Sequence, residues 1–201
     1  GFIVPRNTKG FTVNDIHKKL SLRASVTSEL VLDDVRLPAD AVLPGVVGLK
    51  GPLSCLNEAR YGILWGAVGA ARACYEAALD YAKERQMFGK PIAGFQLIQR
   101  QLVEMMVAVN EGMLVSLHIG RMKDRGPIDP AHISFGKFDN VRRALEVARM
   151  ARSVMGANGI TLEYPPIRHM NNLESVYTYE GTNEVHTLIM GQAITGISAF
   201  E

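Results

Sequence analysis

This sequence has no long apolar run, almost no cysteine and no excess of either charge, and each absence excludes a class of function. No stretch of about 18 consecutive apolar residues occurs, so the pattern gives no expectation of a membrane span. The opening residues match neither a signal peptide nor a transit peptide. Cys55 and Cys74 are the only cysteines and form no CxxC pair, which excludes a disulfide framework and disfavours a zinc site. Both read as small buried thiols in a reducing compartment. Five histidines (His17, His118, His132, His169, His186) form no HxxxH pair, and each alone reads as a surface or satisfied structural histidine. Twenty-two basic and 20 acidic residues leave a net charge of +2, too small a balance to attract nucleic acid or an anionic membrane. What the chain does have is material for a core: 47% of its 201 residues are hydrophobic, enough for one large domain or a domain plus part of another.

Two regimes follow one another. Residues 1–45 are strand-like, with FIVP, FTVND and VTSELVLDDVRLP short, β-branched and punctuated by Pro and Gly. The chain opens without methionine on an apolar run, and this part reads as the end of a larger β-domain. LPGVVGLKGP is a Gly/Pro hinge. From Leu53 the period becomes helical, with Leu53, Leu56, Tyr61, Leu64, Trp65, Val68 and Ala71 on one face. Gly62, Gly66 and Gly69 fall inside this helix, where each costs about 1 kcal/mol, and they predict a tight helix crossing. GKP at 89–91 reads as a Gly C-cap followed by a helix-stopping Pro. A second helix is expected over 95–123, a third over 130–155, then a loop containing YPP, then a fourth helix capped by Thr182 or Asn183. The expectation is a mainly α protein: a four-helix bundle over 46–201 preceded by a partial β-sheet domain over 1–45.

Three spots could carry chemistry. ERQMFGKPIAGFQ places Arg85 at a helix C-terminus, where a cation suits the dipole. MGANGI puts two glycines three apart after a helix, which a C-cap explains. YEGTNE sets a carboxylate, Glu180, just before a helix N-terminus, between an aromatic residue and a glycine. No local folding rule requires all three.

Taken together and in order, RQMFGKPIAGFQ (85–96), MGANGI (155–160) and YEGT (179–182) resemble the acyl-CoA dehydrogenase family. Within it, LSLRAS, CLNEARYGILWG, FQLIQ and GQAITGISAF resemble the branch acting on glutaryl-CoA. The resemblance spans the chain and implies the end of the family's central β-domain followed by its C-terminal four-helix domain, with the N-terminal helical domain absent. It also implies FAD as cofactor, an acyl-CoA substrate, electron-transfer flavoprotein as electron acceptor, and a homotetramer, a dimer of dimers, that shares its flavin sites. The implied reaction removes an α-proton while the β-hydrogen leaves as hydride to the flavin, taking glutaryl-CoA through decarboxylation to crotonyl-CoA, a step of lysine and tryptophan degradation. The compartment would be the cytoplasm in a bacterium or the mitochondrial matrix in a eukaryote.

The motif assigns the base to Glu180. A carboxylate is a weak base in water, and a site that excludes water would suit it better to that task. Gly181 allows close approach of backbone and thioester. Some relatives carry the base on the first long helix; Ala59 holds that place here and cannot serve, and Glu58 beside it is turned by about 100°. By the same resemblance Arg85 reaches the flavin pyrophosphate of a neighbouring subunit, with Phe88 and Gln96 lining that site. Ser153, Val154, Met155, Gly156 and Ala157 meet the adenosine portion, and Thr182, Glu184 and Phe200 touch the flavin. Asn57, Arg60, Tyr179 and Gly181 lie on the acyl-CoA side. A buried Arg60 predicts an anionic ligand or a buried acid as partner. Three alternatives stay open: another short-chain acyl-CoA as substrate, an oxidase using oxygen directly, or a flavin-free helical interaction module.

Overall fold

The computed structural model describes residues 1–200 and divides into two compact units, residues 1–56 and the chain from Asn57 onward. In the first unit β1 (Phe11–Asp15) and β2 (Ser28–Leu32) pair antiparallel with Phe11 opposite Leu32, and Phe2 makes an isolated bridge to Val42. FIVP is therefore a single bridge and not a strand. Leu30 and Leu32 remain exposed, as expected of a two-stranded ribbon, which has too little area to bury a face.

The chain as a whole is mainly helical, as the periodicity predicts, with five α-helices among the described residues. α1 (Lys50–Glu84) runs into a hairpin of β3 (Gln86–Met87) and β4 (Lys90–Pro91). α2 (Gln96–Asp124) returns, α3 (Pro130–Val154) follows, and the shorter α4 (Pro165–Thr178) and α5 (Asn183–Thr195) complete the bundle. Asp129 caps α3, its side chain accepting from the Ala131 N–H, with Pro130 at the first helical position. α3 is the central element and packs against α2, α4 and α5.

Three expectations change. The stretch after GANG is not a loop: Pro165 and Pro166 open α4, since proline's fixed φ and missing N–H suit a first helical turn. Gly89 does not cap α1, which ends at Glu84; with φ of +51° at Phe88 and +82° at Gly89, the pair forms the two-residue turn of the β3–β4 hairpin. The inward face of α1 is made by Arg60, Leu64, Ala67, Val68, Ala71, Cys74, Ala78 and Ala82, while Leu53 and Trp65 are exposed.

The glycine-tight contacts also lie elsewhere. A Cβ on Gly62, Gly66 or Gly69 would meet nothing within 4 Å, because these residues lie off the buried stripe. Close approach occurs at Gly136 on α3, where a Cβ would stand 2.5 Å from Ile119 Cδ1 and 2.9 Å from Leu64 Cδ2. One helical turn away, Asn140 joins three helices: its Nδ2 donates to Leu64 O (3.2 Å), Gly112 O (3.3 Å) and Ser116 Oγ (2.9 Å).

The two cysteines differ. Cys74 is fully buried, its thiol pushed up to about 12 by desolvation, whereas Cys55 is exposed and corrects the expectation of two buried thiols. α2 is the one helix among the described residues long and apolar enough to cross a membrane by length and composition. The apolar-run criterion missed it because polar residues are spread along it. Leu102, Met105, Val109 and Ile119 nonetheless place one face of α2 in the bundle core.

The contrast between glycines is testable. Gly136→Ala should destabilise the helical unit by about 1–3 kcal/mol through overpacking. Gly66→Ala should stabilise the chain by up to about 1 kcal/mol through helix propensity alone. Denaturant unfolding followed by far-ultraviolet circular dichroism distinguishes the two.

Candidate active site

The junction between α4 and α5 is a tight turn built from two successive residues in the left-handed region, Glu180 (φ +57°) and Gly181 (φ +88°). Glutamate in that region is strained by roughly 1–3 kcal/mol and persists only where its surroundings hold it. Glycine is required next to it: a Cβ at 181 would lie 3.1 Å from His186 Nε2 and 3.2 Å from Arg60 Nη2. Tyr179 ends α4, its N–H donating to Ser175 O, and Thr182 caps α5 by accepting from the Val185 N–H. The turn is thus fixed between two helix ends, with the N-terminus of α5 favouring negative charge beside it.

Two cations from other helices hold the turn by its main chain. Arg60 of α1, 5% exposed, donates through Nε to the Glu180 carbonyl at 2.7 Å and makes a longer contact from Nη1 to Asn57 Oδ1 at 3.4 Å. Lys137 of α3 is fully buried and donates to the Gly181 carbonyl at 2.8 Å, with a longer contact to Tyr177 O at 3.4 Å. Arg60 was expected to pair with an anionic ligand or a buried acid; its direct partner is instead a backbone carbonyl. Burial weighs against its charge, and the nearby Glu180 carboxylate offsets part of that. Burial first, then the neighbouring Arg60, push the Lys137 ammonium down to about 8, with Glu180 acting in the opposite direction.

Several polar atoms here have no hydrogen-bond partner among the described residues: Glu180 Oε2, Asn183 Oδ1 and both ring nitrogens of His186. His186 is fully buried, so it is not a surface histidine. Burial, then Lys137 and Arg60, lower its pKa to about 4, and the Glu180 and Gly181 carbonyls beside the ring pull weakly the other way. It is therefore neutral near pH 7. A carboxylate oxygen buried without a donor, on a strained turn with two cations behind it, is not an arrangement that folding alone rewards.

The structure gathers Asn57, Arg60, Glu180, Gly181 and the capping Thr182 at this end, with Tyr179 adjoining. The others lie apart. Arg85, Phe88 and Gln96 are exposed around the β3–β4 hairpin and the start of α2. Ser153, Val154, Met155, Gly156 and Ala157 span the end of α3 and the turn beyond it, with Val154 and Met155 buried. That turn is tied to α1 by Asn158 Nδ2 donating to Tyr81 Oη at 2.9 Å. Along α1, Arg60 and Glu84 are separated by about 36 Å, so Glu180 and Arg85 of one chain stand at opposite ends of the bundle. Glu184 is exposed in the first turn of α5, its carboxyl lowered by its own backbone N–H and then by Thr182. Phe200 is exposed.

Sequence reasoning missed Lys137, His186 and Asn183. One signal was available: Lys137 falls in the same helical phase as Ile133, Val141 and Ala144, where a lysine stands out among apolar residues.

His186 gives a signed pH dependence. Its pKa is about 4 folded against 6.5 for an unperturbed histidine, so the unfolded chain binds more protons between these values. Stability is full above 6.5 and is lost as pH falls through 4, by up to about 3 kcal/mol. Denaturation of wild type and His186→Gln across this range should show wild type losing that amount relative to the variant.

Comparison with known proteins bears on this geometry. Residues 47–195 match the model of the acyl-CoA dehydrogenase C-terminal domain. The bovine mitochondrial short-chain specific acyl-CoA dehydrogenase is 32% identical over 94% of this chain and 46% of its own length. The crystal structure of a glutaryl-CoA dehydrogenase from Mycobacterium smegmatis superposes with a TM-score of 0.98 at 61% identity, covering 100% of this chain and 52% of that one. A second glutaryl-CoA dehydrogenase structure from M. smegmatis, in complex with FADH2, has a TM-score of 0.97 at 57% identity over the same shares of the two chains. The chain thus spans about half the length of the relatives it matches, and over that half it belongs to the acyl-CoA dehydrogenase family.

Proposed function

We propose that this chain carries the catalytic base and part of the flavin site of an FAD-dependent acyl-CoA dehydrogenase, acting on glutaryl-CoA and decarboxylating it to crotonyl-CoA. The observation that carries the proposal is the orphaned Oε2 of Glu180 on its clamped left-handed turn. An α-proton of a thioester must pass to a base held within hydrogen-bond reach, and a single such base is worth about 10²–10⁴-fold. Among the described residues, Glu180 Oε2 is the one buried carboxylate oxygen with no hydrogen-bond partner.

The residues present fit a flavin. Thr182 follows the Glu180–Gly181 turn and caps α5, whose N-terminus favours a negative group beside it. At the far end, the exposed Arg85 stands near the N-terminus of the 29-residue α2, where Phe95 at the N-cap has no side-chain acceptor to offer. A cation beside an uncapped helix N-terminus suits a diphosphate. Bound FAD would supply the hydride acceptor that the β-hydrogen requires. Glu180 takes the α-proton, Arg60 and Lys137 hold its turn, and Gly181 lets Arg60 and His186 close in on that turn.

The separation of Arg85 from Glu180 along α1 supports a site completed by a second copy of the chain, in keeping with a homotetramer. The choice of glutaryl-CoA rests on likeness to the M. smegmatis enzymes, and electron-transfer flavoprotein is the proposed acceptor. The test is anaerobic titration of the full-length protein with glutaryl-CoA, watching flavin absorbance, with Glu180→Gln alongside. Wild type should bleach and yield crotonyl-CoA. The variant should bind ligand and bleach at least about 100-fold more slowly. Flavin that bleaches only with other acyl-CoAs would refute the substrate assignment, and a protein that cannot be loaded with flavin would refute the dehydrogenase itself.

A further inference from the structure

The charge on Lys137 is not explained by packing. Its position on α3 is fully buried, between Ile133 and Val141, where leucine or methionine would fill the volume with no charge to desolvate. A buried ammonium is retained only where it is compensated by acceptors, and both of its acceptors are main-chain carbonyls flanking one carboxylate. Tyr177 O lies in the last turn of α4, where carbonyls lack helical partners, and Gly181 O lies in the turn itself. One ammonium therefore bridges the end of α4 and the residue after Glu180.

We infer that Lys137 is a positioning residue for Glu180, its ammonium fixing the left-handed turn that presents the carboxylate. The inference rests on the reading of Glu180 as the base. Arg60 holds the Glu180 carbonyl from α1 and Lys137 holds the next carbonyl from α3, so consecutive peptide units are gripped from two helices. Without Lys137, the Gly181 carbonyl loses its donor and the strain at Glu180 loses half its restraint. Arg60 alone holds the 180–181 peptide unit and leaves the 181–182 unit free to reorient about φ and ψ of Gly181.

The groups facing Lys137 define its charge state. Arg60 from α1 and Glu180 from the turn act on it with opposite sign, and His186 from α5 is neutral above about pH 4. With its own value near 8, the ammonium is present at neutral pH and is lost in mild alkali. The neutral amine still reaches Gly181 O but donates more weakly than a cation.

The test uses the full-length flavoprotein with Lys137→Met, which keeps the volume and removes the donor. Hydrogen–deuterium exchange of amides 178–183 should accelerate at least about tenfold. Flavin content and the KM for acyl-CoA should stay within about twofold, while the anaerobic flavin-reduction rate falls by about 10–100-fold, the cost of a small displacement of a reacting group. Reduction within twofold of wild type, with unchanged exchange, overturns the inference. So does uniform loss of protection across α2 and α3, which would mean a merely structural lysine. If the variant does not fold, the wild type supplies the test. Exchange at 178–183, corrected for base catalysis, should accelerate as pH rises through about 8 while α2 stays protected. No acceleration overturns it. A wild-type protein that no acyl-CoA reduces would refute the dehydrogenase reading instead. The exchange data would then judge the clamp by themselves, unchanged protection counting against it.

Discussion

Everything proposed for this chain depends on how two carbonyl oxygens are held. The Glu180–Gly181 turn occupies a region of backbone space that glutamate disfavours, and two buried cations from different helices keep it there. Burying those cations is itself unfavourable, so each half of the arrangement requires the other. The helical unit can be read outward from this mutual requirement. α1 and α3 also contribute small residues to one core cluster: Ala67, Ala71, Ala78 and Ala82 from α1, Ala144, Ala148 and Ala151 from α3. Asn140, donating to main-chain or side-chain oxygens of α1 and α2, fixes those helices in the same layer of the core.

Much of the fold was legible in the sequence because helical periodicity is a strong signal over 25 to 35 residues. The starts of α2 and α3, and the Thr182 cap, could be read from residue type alone. α4 could not, since a Tyr-Pro-Pro sequence signals a turn and a helix start equally well, and only the following contact with α3 decides between them. The same limit applies to the glycines. Composition shows that Gly62, Gly66 and Gly69 share a helix, but whether a neighbour stands against them depends on which face turns inward, and Arg60 and Leu64 set that face.

The candidate site was half legible. Glu180 and Gly181 carry a local signature, and Arg60 sits in a recognisable segment. Lys137 and His186 do not announce themselves, because their role arises from positions 44 residues before and five residues after Gly181 converging in space. A lysine in a helix is ordinarily a solvated residue, and only its phase among Ile133, Val141 and Ala144 marks it as buried. Likewise the exposed group around Arg85 gains meaning only from its distance to the turn. In the proposed shared site, each chain would carry a fragment that looks idle by itself.

The hold on the turn acts through main-chain oxygens, and every amino acid carries the same main-chain oxygen. Arg60 and Lys137 therefore hold positions 180 and 181 by hydrogen bonds that any side chain at 180 would leave in place, and they feel that side chain only through its charge. The loop behaves as a socket: its shape is maintained by contacts to the main chain, and only the charge of what is plugged into it reaches those partners. Conformation and reactivity at this position are thereby separable, and the scaffold can exchange the chemical group at its centre without first rebuilding the geometry that displays it.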